Sequence, residues 1–167
     1  MADKVPPVPL GRAGRILEAI GGAMILAMMV VTAIDVAGRY FLNRPIGGAF
    51  EVTEILMGLV IFAGMPLATA RREHIAIDLF DTALSFRKRC WQAAIGDLLC
   101  AIVSGVLAWR IWTRGQSLLA VGETTMQLGV PRGLVALAMS GLMAAAAVVF
   151  VFASATALRA AIAGEER

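Results

Sequence analysis

Four runs of this chain are too long and too apolar for the surface of a soluble domain. They extend over about residues 16–40, 50–70, 90–112 and 131–158. A helix needs roughly 20 mainly apolar residues to cross a bilayer, and each run meets that length. The first carries no charge between Ala19 and Ile34, the second none from Ile55 to Ala70, and the fourth none between Gly133 and Leu158. The third contains Asp97. Hydrocarbon satisfies no free backbone N–H or C=O, so these spans must bond internally as helices. Barrel strands would alternate polar and apolar residues, which these runs do not. Pro66 lies inside the second run and removes one hydrogen bond there. Composition agrees: 59% of the 167 residues are hydrophobic and 16% charged, against about 45–50% and 25% in soluble domains. A chain this short cannot bury such an excess. The expected fold is an all-α membrane protein with four transmembrane helices in one domain.

Four spans place both termini on one side. Lys4, Arg12, Arg15, Arg71, Arg72, Arg87, Lys88, Arg89, Arg159 and Arg167 fall on the termini side. Arg39, Arg44, Arg110, Arg114 and Arg132 fall on the other. The positive-inside rule then predicts cytoplasmic termini. Between spans 2 and 3, residues 77–89 carry an amphipathic pattern. Leu79, Phe80, Ala83 and Leu84 share one face, with Asp78 and Asp81 near the start and Arg87–Arg89 near the end. This predicts a short interfacial helix, its charges matched to the helix dipole. Small residues recur four apart at Ala19, Ala23 and Ala27, at Asp97, Ala101 and Gly105, and at Gly141, Ala145, Ala153 and Ala157. Such stripes are expected to face other helices.

The charges cluster at water boundaries. Asp35 and Arg39 are four apart and predict an ion pair at the end of helix 1. Glu51 and Glu54 open helix 2, where carboxylates suit the helix N-terminus. Arg110 and Arg114 are expected to snorkel, with Trp109 and Trp112 at the same interface. Asp97 is the most intrusive charge and reads as a buried charge held by a structural hydrogen bond. His74 is the single histidine, without the ligand cluster a metal requires. Cys90 and Cys100 lie about 15 Å apart along one helix, too far for a disulfide, and read as buried, inert thiols. The basic stripe of a nucleic-acid binder is missing. So are the HExxH, GxSxG, Walker and GxGxxG patterns, which argues against an enzyme and against a bound cofactor.

One constellation is more specific. Arg39-Tyr40-Phe41 is followed by Asn43 and Pro45, then Glu51, Gly64, and Arg72-Glu73-His74-Ile75-Ala76-Ile77-Asp78. Gly122, Thr124 or Thr125, Leu128 and Pro131 precede helix 4. This run resembles the small membrane subunit of TRAP transporters, the DctQ-like family, over nearly the whole chain. Two positions depart from the family pattern. Gly48-Ala49-Phe50 stands where a Trp is common, and Met139-Ser140-Gly141 where helix 4 often has a proline.

The resemblance implies a single DctQ-like domain over residues 1–167 in the bacterial inner membrane. It implies a subunit of a sodium-driven transporter for organic acids, with sodium and substrate on a large membrane subunit and capture by a periplasmic binding protein. The small subunit would be a scaffold among lipids. Arg39, Asn43, Arg44, Glu51, Glu54, Arg114, Glu123 and Arg132 would form its docking rim for the binding protein. Tyr40, Pro45, Arg72, His74, Asp78 and Pro131 would be structural motif positions. The rival readings are a four-helix transporter acting alone, a membrane lipid transferase and a purely structural membrane protein. The first needs a membrane-embedded carboxylate in helix 1, and Asp35 lies too near the helix end.

Overall fold

The computed structural model describes residues 11–71 and 86–163. They form four helices: α1 (Gly11–Phe41), α2 (Ala49–Arg71), α3 (Phe86–Val121) and α4 (Arg132–Ala163). All four contain spans long and apolar enough to cross a membrane. Phe86–Arg89, expected in an interfacial helix, belong to α3. The rest of that expected helix lies outside the described residues, as do Arg72, His74 and Asp78.

α3 outruns its expected end at 112 and stops at Val121. Arg110, Arg114 and Gln116 end the apolar run, but polarity does not end a helix. Gly122 does. It sits at φ +72°, its N–H donates to Leu119 O at 3.1 Å, and the N–H of Glu123 donates to Leu118 O at 3.1 Å. That is a Schellman stop. With 36 residues α3 is about 54 Å long, well beyond a hydrocarbon core of about 30 Å.

The helices do not close into a bundle. Among the described residues α1 touches only α2, α2 also touches α4, and α4 touches α3. The spatial order is therefore α1–α2–α4–α3. The seam between α3 and α4 is the tightest. The Ser140 hydroxyl donates to Ala108 O and the Ser154 hydroxyl to Ala94 O, both at 2.8 Å. A Cβ on Gly133 would lie 2.7 Å from Gly115 O. These contacts advance seven residues on each helix in opposite directions, so the same register sets Ala147 opposite Ala101. Small residues thus meet in an antiparallel heptad, and the backbones approach until serine hydroxyls reach carbonyls across the gap.

Within this chain the four-residue stripes pack only in part. Ala19, Ala23, Ala27, Gly141 and Ala145 are exposed, whereas Ala101, Ala153 and Ala157 are buried. A strict four-residue step drifts about 40° around a helix of 3.6 residues per turn, while alternating steps of three and four hold one face. On α1 that face is Gly14, Leu17, Gly21, Met24, Met28, Val31, Asp35 and Gly38, the positions less exposed than their neighbours. Cys90 is buried on the α3 seam but Cys100 is exposed, so only one thiol matches the expectation; neither is in a disulfide.

The buried core is mostly alanine, while Ile, Leu, Val, Met and Trp side chains point outward. A soluble protein arranges these the other way round. The arrangement follows if the outer surface meets lipid or protein instead of water.

Candidate partner-docking site

Opposite Gly11 and Ala163, the loops 42–48 and 122–131 lie together at one end of the described residues. Each is built by local chemistry. After α1 the chain turns at Asn43, which adopts φ +53°, a conformation that asparagine tolerates better than most residues. Arg44 N–H then donates back to Gly38 O at 3.1 Å. Gly38 is required there, because a Cβ would lie 2.8 Å from Arg44 O. Asp35 fastens the turn. Its Oδ1 accepts the Ile46 N–H at 2.8 Å, and its Oδ2 takes the Arg39 Nη2 at 2.9 Å. The expected Asp35–Arg39 pair is present, and the loop is its second client.

The other loop is a tight hairpin. Thr124 and Pro131 form an antiparallel bridge at its base. Thr125 is buried; its N–H donates to Val130 O at 2.9 Å, and its hydroxyl accepts the Val130 N–H at 3.1 Å. Of the two threonines, Thr125 is the one whose side chain holds the loop, while the exposed Thr124 contributes through its backbone bridge. Gly129, at φ +64°, donates its N–H to Thr125 O at 3.2 Å. Arg132 Nη1 meets Glu123 Oε1 at 3.1 Å. A cation at the start of α4 opposes the helix dipole, and the Glu123 carboxylate offsets it.

Glu51 joins the two loops. Its carboxylate accepts the Gln127 N–H at 2.9 Å and the Leu128 N–H at 3.0 Å. Gly48 N–H donates to Gln127 Oε1. Gly48 sits at φ +84°, and a Cβ there would come within 2.8 Å of the Leu128 side chain. Glu51 therefore does more than favour its own helix N-terminus: it organises a loop 76 residues away.

The eight expected rim residues thus separate by role. Glu51, Glu123, Arg132 and Arg39 are engaged in holding the loop end together. Asn43 shapes a turn. Arg44, Glu54 and Arg114 carry exposed side chains outside these pairs. Pro45 follows the Asn43 turn, Pro131 closes the hairpin, and Tyr40 is 83% exposed. Sequence reasoning left Thr124 and Thr125 as alternatives, and missed Gln127 and Gly48 as structural pieces and the Asp35 link to Ile46. Asp97 lies half-buried on the α3 seam between Ala94 and Ala101, away from this end. Among the described residues no three His, Cys, Asp or Glu side chains come close enough to hold a metal.

The loop end also exposes large apolar side chains. Phe41 and Phe50 flank the first loop and Leu42 begins it; Val121 precedes the second loop and Met126 lies in it. Phe50, the last residue of the Gly48-Ala49-Phe50 stretch, is 79% exposed and presents a large aromatic surface there.

Comparison with known proteins agrees with this architecture. The family described as tripartite ATP-independent periplasmic transporters, DctQ component, matches residues 28–160. Neither the curated proteins nor the solved structures gave a match. The matched stretch begins within α1, ends within α4 and includes both loops 42–48 and 122–131. The chain belongs to the DctQ family, as the small membrane subunit of a TRAP transporter.

Proposed function

We propose that this subunit is a stationary scaffold in a sodium-driven transporter of organic acids. It holds the large membrane subunit in the bacterial inner membrane, with both termini cytoplasmic. Sodium and substrate travel through the large subunit, and this chain binds no cofactor. Its loop end faces the periplasm and receives the substrate-binding protein.

The observation that carries the reading is the open order α1–α2–α4–α3 with an alanine core and large apolar residues outside. A row of helices makes a wall. A path for an ion would run through an enclosed interior, and among the described residues α1 and α3, at the two ends of the row, do not touch to enclose one. The described charges gather at the two ends, apart from Asp97. At the termini end Arg71 pairs with Glu18. At the loop end Arg44, Glu54 and Arg114 are exposed. Exposed charges of both signs speed a transient, salt-sensitive encounter more than they tighten it.

Arg44→Glu tests the docking role. The variant is expected to assemble normally and to need more binding protein for half-maximal uptake, most clearly at low salt. Wild-type dependence on binding protein at every ionic strength would contradict it.

A further inference from the structure

Resting on the reading of the loop end as the docking face, we propose that the 124–131 hairpin is a preformed apolar contact element for the binding protein. Met126 is its contact residue and Glu51 its positioning residue.

Met126 is 95% exposed at the tip of a hairpin that little else leaves free to move. The Thr124–Pro131 bridge and the Glu123–Arg132 pair close its base. Thr125 ties its interior through both its backbone and its hydroxyl. Glu51 holds the two residues after Met126 by their N–H groups, and Gln127 reaches back to Gly48. A loop with so many internal bonds is ordered before it meets anything, which removes the ordering cost of binding.

The surroundings identify the kind of partner. Carboxylates of Glu51 and Glu123 and the guanidinium of Arg132 ring the hairpin. Charged groups at that density are costly in hydrocarbon, which places the tip in water. An exposed methionine held there is suited to a shallow apolar depression on a water-soluble protein, and its flexible thioether adapts to the depression's shape. The family is tripartite and periplasmic by description, so the binding component is the partner to which the proposal commits. The charged rim then steers the encounter, and the hairpin supplies a contact that salt does not screen.

The test uses the assembled membrane complex in proteoliposomes, with uptake measured against binding-protein concentration. Met126→Glu and Met126→Ser are expected to raise the half-saturating concentration about fivefold, the size of one well-placed interface side chain. The shift of the uncharged Met126→Ser should persist at high salt, unlike the shift of Arg44→Glu. Uptake at saturating binding protein should stay close to wild type. Glu51→Ala should shift the curve in the same direction, and Glu51→Gln less, because an amide oxygen still accepts one of the two N–H groups. A general structural defect would instead lower assembly and maximal uptake. Normal half-saturation in both Met126 variants overturns the inference, even if Arg44→Glu is impaired and the docking reading stands. Normal half-saturation in every variant, Arg44→Glu included, overturns the docking reading as well. If Glu51→Ala does not assemble, the exposed Met126 variants decide the matter by the same criterion.

Discussion

The α3–α4 pair and the α1–α2 pair use different means to hold together. α3 and α4 are joined along their length by small residues in heptad register, with Ser140 and Ser154 bonded across the seam. α1 buries almost nothing along its face; Gly14, at the start of its membrane span, is its only described buried residue, and the most apolar stretch of that span has none. It is tied instead by polar links, Glu18 to Arg71 at one end and Asp35 to Ile46 at the other. In lipid, helices gain little from hiding apolar surface, so close packing and hydrogen bonds decide which pairs are stable by themselves. By that standard α3–α4 is complete within this chain, and α1 is the helix with the most surface left for something else.

Glycine substitutions offer the strongest way to break the comparison. Gly133→Val places a side chain against the Gly115 carbonyl at 2.7 Å, and the helices must separate. It should cost about 3 kcal/mol, the upper range for overpacking. Gly21→Ala on α1 meets nothing within 4 Å and should be neutral or stabilising by up to about 1 kcal/mol through helix propensity. Thermal unfolding in detergent reads both. Equal destabilisation would remove the distinction between the pairs.

Asp35→Ala probes the polar tie of the looser pair. It removes the acceptor of the Ile46 N–H and the partner of Arg39. A loss of stability smaller than that of Gly133→Val is expected, with faster proteolysis in loop 42–48 than elsewhere. An unchanged cleavage rate in that loop would show that α1 is held by other means. The smallest losses belong to the hydroxyls of the tight seam. Ser140→Ala and Ser154→Ala should each cost about 0.6 kcal/mol, the average for interhelical hydrogen bonds in membranes. Unfolding measured for each variant checks this, and a loss several times larger would mean that hydroxyls, and not close backbone approach, hold α3 to α4.

The four spans were legible because hydrophobic length is a local property, fixed by the solvent the helix must cross. The Asp35–Arg39 pair was legible because four residues make one helical turn. Helix order was not: residues 71 and 86 end and begin α2 and α3, yet α4 lies between those helices. The α3–α4 seam was hidden because alanine is so frequent that four-residue and seven-residue spacings both find matches. At the loop end, charge type revealed which residues matter but not what they do. Glu51 looked like a helix-start carboxylate, and only the fold brings Gln127 and Leu128 to it from 76 and 77 residues away. Gln127 itself carries no sequence signal, being one polar residue in a polar turn.

The claim that this chain is a wall and not a conduit is tested most directly by reconstitution. Proteoliposomes are prepared with this subunit alone, with the large membrane subunit alone and with both, each with binding protein, an organic acid substrate and an inward sodium gradient. The account predicts accumulation only where both membrane subunits are present, and none with this subunit alone. Solute accumulation in vesicles that contain only this chain would contradict it.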